Sequence, residues 1–302
     1  MMRIFLTGAT GYIGGAVLET LIRGGHQVTT LVRDAGKARR MQKLGAKGVV
    51  GDLANGTPWK AAAVGHDAFI HTARDPAPRG IESDRIAIDT LAAAARESGP
   101  DRPLVFTSGV WVLGSTRQPA DETAPLDPTP YSAWRVAHED MVLGLEGVRG
   151  IVIRPGIVYG GNRGIVADLL RAGVNGLVRI IGDGKNHWAS VYDRDLADLY
   201  ARLATTPGVA CIYHATDEAD ETVLDIVEAL ARNTTHKPDV RFVPLEEARA
   251  KMGSYADALA LDQLVRSRRA REVRWAPSLK SIAGNVPRLL EEWRADHAAE
   301  GV

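Results

Sequence analysis

The stretch Thr7-Gly8-Ala9-Thr10-Gly11-Tyr12-Ile13-Gly14 constrains this chain more than any other. It follows an apolar run, Ile4-Phe5-Leu6, and precedes a segment from Tyr12 to Arg23 that has the spacing of an amphipathic helix and is closed by Gly24-Gly25. Glycines at this spacing between a strand and a helix allow a tight turn, close backbone approach to a ligand and tight helix-on-strand packing. The first amides of a helix have no partner within it and carry partial positive charge, so such a loop is suited to hold a pyrophosphate. Gly8, Thr10, Gly11, Tyr12, Ile13 and Gly14 are therefore candidate contacts to a dinucleotide.

Strand and helix alternate through the first half of the chain. The pattern predicts strands at 3–6, 27–32, 48–50, 68–71, 104–107 and 151–154, and helices at 35–44, 81–97 and 132–145. Such alternation implies βαβ crossovers and an α/β fold: a doubly wound parallel sheet of Rossmann type with helices on both faces. After Pro155-Gly156 the pattern loosens into helices near 165–172, 196–204, 223–232 and 282–293, with strands near 179–181, 211–214 and 241–243. The expected division is a dinucleotide-binding domain over 1–160, joined by 191–206, and a smaller interleaved substrate lobe from 161–190 and 207–302. Lys+Arg and Asp+Glu are both 37, so there is no basic surplus to draw nucleic acid. No apolar run is long enough for a signal peptide or a bilayer span, which argues against a membrane role. The single cysteine, Cys211, precludes a disulfide framework within the chain, fits a cytoplasmic setting and is expected to pack as a small apolar residue. The histidines lack metal-ligand spacing, so no metal is expected, and His214 reads as a lining or core residue.

The Gly-x-x-Gly-x-x-Gly spacing resembles that of the extended branch of the short-chain dehydrogenase/reductase family, and the resemblance runs along nearly the whole chain. It implies that Asp52-Leu53 contacts the adenine, that His71-Thr72-Ala73 lines the cofactor, and that Val105-Phe106-Thr107-Ser108-Gly109 is the strand carrying the catalytic serine. The loop Arg154-Pro155-Gly156-Ile157-Val158-Tyr159-Gly160 is similar to the one over the nicotinamide, which makes Pro155, Gly156, Ile157 and Val158 cofactor contacts. Residues 270–277 are similar to a C-terminal motif of sugar-nucleotide epimerases.

NAD-specific members usually end the second strand with an acidic residue that bonds the ribose 2′-hydroxyl. Val32 stands there in this chain, followed by Arg33. A guanidinium suits a 2′-phosphate, so NADP(H) is expected over NAD(H), which is kept as the alternative. Arg33 as a solvated charge is the competing reading, and Asp34 either repels the phosphate or caps the next helix.

The family's chemistry uses Tyr-x-x-x-Lys. Here the matching stretch is Tyr131-Ser132-Ala133-Trp134-Arg135, with arginine in place of lysine. Arginine keeps the charge and can bond ribose hydroxyls, but it cannot release a proton at working pH. Gly109 falls at the serine position. Ser108 lies one residue early, where strand alternation turns it to the other face, while Thr107 shares the intended face. Tyr131 as a packing aromatic and Arg135 as a surface charge remain open. The sugar-nucleotide members commonly carry an arginine four residues after the second glycine of the segment starting at Gly182, and Trp188 occupies that position here. Trp188 and Trp111 are candidate apolar walls for a small-molecule substrate, with Trp188 as a core filler the alternative. The arginines at 266, 268, 269, 271 and 274 read as a solvated helix face.

The family resemblance also implies a homodimer, because helices 81–97 and 132–145 correspond to those that pair in many members. Leu91-Ala92-Ala93-Ala94-Ala95 offers small residues for that packing. The expected activity is NADP-dependent reduction of a small, largely apolar ketone or aldehyde with Tyr131 as proton donor. The alternatives are a cofactor-binding sensor that has lost the chemistry, and a sugar-nucleotide epimerase or dehydratase.

Overall fold

The structure, a computed structural model, describes residues 1–77 and 79–300. Position 78 of the expected cofactor domain and positions 301–302 of the expected lobe lie outside them. The chain opens with β1 (Arg3–Thr7), buried from Ile4 onward as a central strand of a parallel sheet must be. Helix α1 (Tyr12–Arg23) ends at Gly24, and Gly25 turns the chain at φ +75. Strand β2 (Gln27–Val32) leads to α2 (Ala35–Lys43), whose N-cap is Asp34: its carboxylate accepts the Lys37 amide at 2.8 Å. Next come β3 (Lys47–Val50), α3 (Thr57–Ala63), β4 (Ala68–His71), α4 (Gly80–Ser98), β5 (Arg102–Thr107), α5 (Trp134–Leu143) and β6 (Val148–Pro155).

The remainder comprises β7 (Ile157–Tyr159), α6 (Gly164–Val174), β8 (Leu177–Ile181), β9 (Ser190–Tyr192), α7 (Asp193–Thr205), β10 (Cys211–Ala215), α8 (Val223–Arg232), β11 (Asp239–Val243), α9 (Leu245–Met252), α10 (Tyr255–Leu259), α11 (Arg268–Glu272) and α12 (Val286–Glu300). The sequence pattern misses α3, β7, β9, α9, α10 and α11. All are eight residues or shorter, too short to display a hydrophobic period.

A seven-stranded sheet runs in the order β10-β6-β5-β4-β1-β2-β3. Every pairing from β6 to β3 is parallel. The direction of winding reverses at β1, which pairs on one side with β2 and on the other with β4. Register places Thr7 opposite Leu31 and His71, so the loops after β1, β2 and β4 emerge together at their C-terminal ends, where a doubly wound sheet opens its crevice.

The chain divides into two compact units: residues 1–108, 134–153 and 196–213, and residues 109–133, 154–195 and 214–302. The core of the first packs Phe5, Trp59, Phe69 and Phe106 with Leu91, Ala92, Ala94 and Ala95 of α4. The small-residue run expected to meet a second copy is thus largely consumed inside the chain. In the second unit β8 pairs in parallel with β11 and β7 with β9. Tyr159, Tyr192 and Trp293 fill a core with residues of α6, α8 and α12. Thr222 and Asp225 form a reciprocal capping box at the start of α8.

Two expectations need correction here. Cys211 is exposed, at φ +87, rather than packed. The arginine cluster is no plain solvated face, because α11 holds only five residues, Arg266 clasps Asp220 at 2.6 and 2.8 Å, and Arg271 pairs with Glu218. Among the described residues no helix is long and apolar enough to cross a membrane.

Candidate active site

The crevice after β1 is built by backbone. Gly8 adopts φ +87, and a Cβ there would lie 2.6 Å from the Ala73 amide nitrogen. A Cβ on Gly14 would lie 2.1 Å from the Gly8 carbonyl oxygen, so the first turn of α1 rests directly on the loop. No side chain caps α1 at Gly11, which leaves that end to a ligand's negative charge. The cleft is lined by Thr7, Gly8, Thr10 and Gly11 from the loop, by Leu31, Val32 and Arg33 after β2, by Gly51, Asp52 and Leu53 after β3, and by Thr72, Ala73, Arg74 and Asp75 after β4. The residues present therefore fit a dinucleotide: a glycine cradle with no room for side chains, and an arginine at the end of β2.

Eight of the expected cofactor contacts line this cleft: Gly8, Thr10, Gly11, Arg33, Asp52, Leu53, Thr72 and Ala73. Tyr12, Ile13 and Gly14 form the first turn of α1 beside it. His71 does not line it. Its ring is buried, with Nδ1 at 2.6 Å from Thr7 Oγ1 and Nε2 at 3.0 Å from Asp84. Asp84 also meets His138 at 2.7 Å. Burial would raise the Asp84 pKa, but the two imidazoles outweigh it and hold the carboxyl well below the usual carboxylate range. Asp34 directs its carboxylate to the Lys37 amide, which makes it a helix cap. Arg74 and Asp75 escaped the sequence reading; the signal was their place directly after Thr72-Ala73. Asp52 accepts the Ala54 amide at 3.0 Å and Arg79 at 3.1 Å, and these contacts, the first above all, with Arg33 nearby, lower its pKa.

At the end of β5 two hydroxyls differ sharply. Thr107 Oγ1 donates to the His71 carbonyl at 2.7 Å and lies 2.6 Å from the Tyr200 hydroxyl, so its hydrogen-bonding capacity is engaged. Ser108 anchors its amide on Ile153, while its Oγ is buried with no hydrogen-bond partner. Arg135 is half-buried, donates to the Thr107 carbonyl at 2.8 Å and lies 4.5 Å over the Trp134 ring, so it is no loose surface charge.

In the second unit Tyr131 sits in an aromatic triangle. Its ring centroid is 5.7 Å from Trp111 and 5.0 Å from Tyr255, which are 6.0 Å from each other. Tyr255 was not foreseen, because nothing in the sequence marks a tyrosine on a five-residue helix. Ser132 steadies the segment by donating to the Trp111 carbonyl at 3.1 Å. The same unit holds a cavity of about 320 Å³ whose walls include Trp188, Leu169 and Ile180. Trp188 both lines that space and packs against the core of the unit. Pro155 and Ile157 are buried and Val158 half-buried. Gly156 donates to Ala215 at 2.9 Å, and a Cβ on it would lie 2.4 Å from the Ala189 carbonyl oxygen.

The family model described as "NAD dependent epimerase/dehydratase family" matches residues 4–212. The 2-alkyl-3-oxoalkanoate reductase of Stenotrophomonas maltophilia is 30% identical over 227 residues, 70% of this chain and 68% of the relative. A Stigmatella aurantiaca ketoreductase, named for a farnesylated dihydroquinoline-oxide, is 26% identical over 261 residues, 82% of this chain and 78% of the relative. Among solved structures, MoeE5 with UDP-glucose and NAD superposes with a TM-score of 0.82 at 18% identity, covering 98% of this chain and 99% of the other. The human epimerase family protein SDR39U1 with NADPH gives 0.79 at 21%, covering 96% and 99%.

Proposed function

The chain belongs to the NAD-dependent epimerase/dehydratase family, as an NAD(P)-dependent enzyme of the extended short-chain dehydrogenase/reductase type, and on that premise we propose that it is an NADP(H)-dependent reductase of a largely apolar ketone or aldehyde. The observation that carries this reading is the setting of Tyr131, a phenol held between the rings of Trp111 and Tyr255. Such a surround welcomes a hydrocarbon, and aromatic rings supply no cation to a diphosphate. Two relatives whose names describe ketone reduction support it.

In this reading the glycine loop and the first turn of α1 hold the pyrophosphate. Arg33, exposed at the end of β2, grips the 2′-phosphate. Arg135, fixed to the end of β5, bonds the nicotinamide ribose and supplies a permanent positive charge. The cofactor supplies the hydride when bound. Tyr131 Oη gives the carbonyl oxygen its proton. Because an arginine cannot relay a proton as a lysine can, the Tyr131 proton is restored from solvent.

The test is NADPH consumption against a panel of ketones and aldehydes, with Tyr131→Phe as the control. Turnover by the parent and a loss of about 10²–10⁴ in the variant are expected. No turnover of any carbonyl compound, or full activity in Tyr131→Phe, would remove the proposal.

A further inference from the structure

The cavity of the second unit is larger than a small carbonyl compound needs, and its walls are hydrocarbon. Ile165, Leu169, Ala172, Ile180 and Trp188 face it, and Met252, exposed at the surface, belongs to the same lining. The half-buried side-chain donors of the wall, on Asn186 and Trp188, are committed elsewhere. Trp188 Nε1 donates to the Leu259 carbonyl at 3.1 Å, and Asn186 Nδ2 donates to the carbonyls of Leu259 and Leu261 at 3.2 and 3.0 Å. A base or phosphate entering among these apolar residues would surrender its water and meet two donors that are already engaged. The charged members, Asp168, Arg179 and Lys251, are exposed, and Lys251 pairs with Glu247 at 2.6 Å.

The same walls connect to the candidate catalytic tyrosine. Leu259, which lines the cavity and receives the Trp188 indole, ends the short helix that Tyr255 begins. Four residues of helix rise about 6 Å. Tyr255 in turn meets Tyr131 in a tilted ring pair at 5.0 Å, and Trp111 and Trp188 pack against one hydrophobic cluster. The cavity wall at Leu259 and the ring that meets Tyr131 thus belong to one five-residue helix. A volume of about 320 Å³ falls within the range, about 300–1,000 Å³, of clefts that enclose small ligands.

We propose that this cavity binds a hydrocarbon tail carried by the substrate, so that the enzyme selects carbonyl compounds with an extended apolar chain. The proposal rests on the reductase reading and adds Ala172 and Trp188 as specificity-determining residues. Its test compares methyl ketones bearing propyl, heptyl and undecyl tails. Binding is measured calorimetrically on the protein with NADP⁺ present, and turnover with NADPH. Affinity should rise by about fourfold for each methylene that enters the cavity, then level off. Ala172→Trp fills the space, and it should cut the undecyl-to-propyl affinity ratio at least tenfold, raising KM for the long ketone rather than lowering kcat. Ala172→Leu, a smaller intrusion, should give a partial effect and serves if the tryptophan variant does not fold.

Tail-independent affinity in the parent, or an unchanged ratio in a folded variant, would overturn the proposal. Tail-dependent binding that the variant abolishes, with no NADPH consumed, would uphold the cavity and remove the reductase reading. NADPH consumption without tail dependence would do the reverse.

Discussion

In the unit that carries the glycine loop, the cleft is walled by backbone and charge: the Gly8 and Gly11 main chain, Arg33, Asp52, Arg74 and Asp75. In the other unit the cavity is walled by Leu169, Ala172, Ile180 and Trp188, with the half-buried donors of Asn186 and Trp188 turned back on carbonyls of its own chain. Two buried ionisable groups, one in each unit, are kept in opposite states. Asp84 remains a carboxylate because two histidines hold its oxygens. His214 is kept neutral, its pKa pushed down to about 3 by burial first and by Arg154 second. The first of these is held charged by its partners and the second is held neutral by its surroundings.

Gly14→Ala should have the largest effect. The new Cβ meets backbone of Gly8 at 2.1 Å, where nothing can yield cheaply. A loss of about 1–3 kcal/mol in stability is expected for such overpacking. The rise in melting temperature on adding NADPH should disappear as well. Retention of that rise would show that the loop does not govern cofactor binding.

Arg33→Ala should come next, and it sharpens the charge side of the comparison. Loss of a charge-assisted contact should weaken NADPH by about 1.5–3 kcal/mol and leave NADH nearly unaltered. Equal affinities for both cofactors in the parent would refute the assignment of Arg33 to the 2′-phosphate.

A smaller effect is expected for His214→Asn, which probes a buried neutral imidazole of the second unit. The ordinary imidazole value is 6.5 and the folded value about 3, so between these pH values the unfolded chain binds a proton that the folded chain does not. Stability therefore falls as pH drops from 6.5 toward 3. The variant should lose that share of the slope, at most about 1.4 kcal/mol per pH unit. Melting curves that track the parent across this range would contradict the buried neutral state.

The two units also differ in how much of them can be read from sequence. The cofactor cleft is legible because backbone geometry dictates residue type: Gly8 needs a positive φ and Gly14 has no space for a side chain. The parallel sheet follows from the alternation of strands and helices around that loop. His71 reads from sequence as a lining or core residue, because a motif gives its position and not the direction of its ring, which Thr7 and Asp84 fix from elsewhere in the fold. Leu91 to Ala95 suit a partner's helix or the chain's own core equally well, and only packing decides for the core. Tyr255, Leu259 and Ala172 carry no local signal. They acquire meaning when α6 and α10 bring them to the cavity, and an apolar residue in sequence says only that it is buried somewhere.

The nature of the substrate separates a reductase from a nucleotide-sugar enzyme, and the most direct measurement sets two substrate classes side by side. With NADPH and NADH supplied in turn, the protein is given long-tailed ketones in one arm and UDP-glucose or dTDP-glucose in the other, and cofactor absorbance and sugar products are followed together. Consumption of NADPH with a long-tailed ketone, and no conversion of either nucleotide-sugar, is the predicted result. Conversion of a nucleotide-sugar with the ketones inert would contradict it, and would mean that Trp188 and its apolar neighbours do not set what this site accepts.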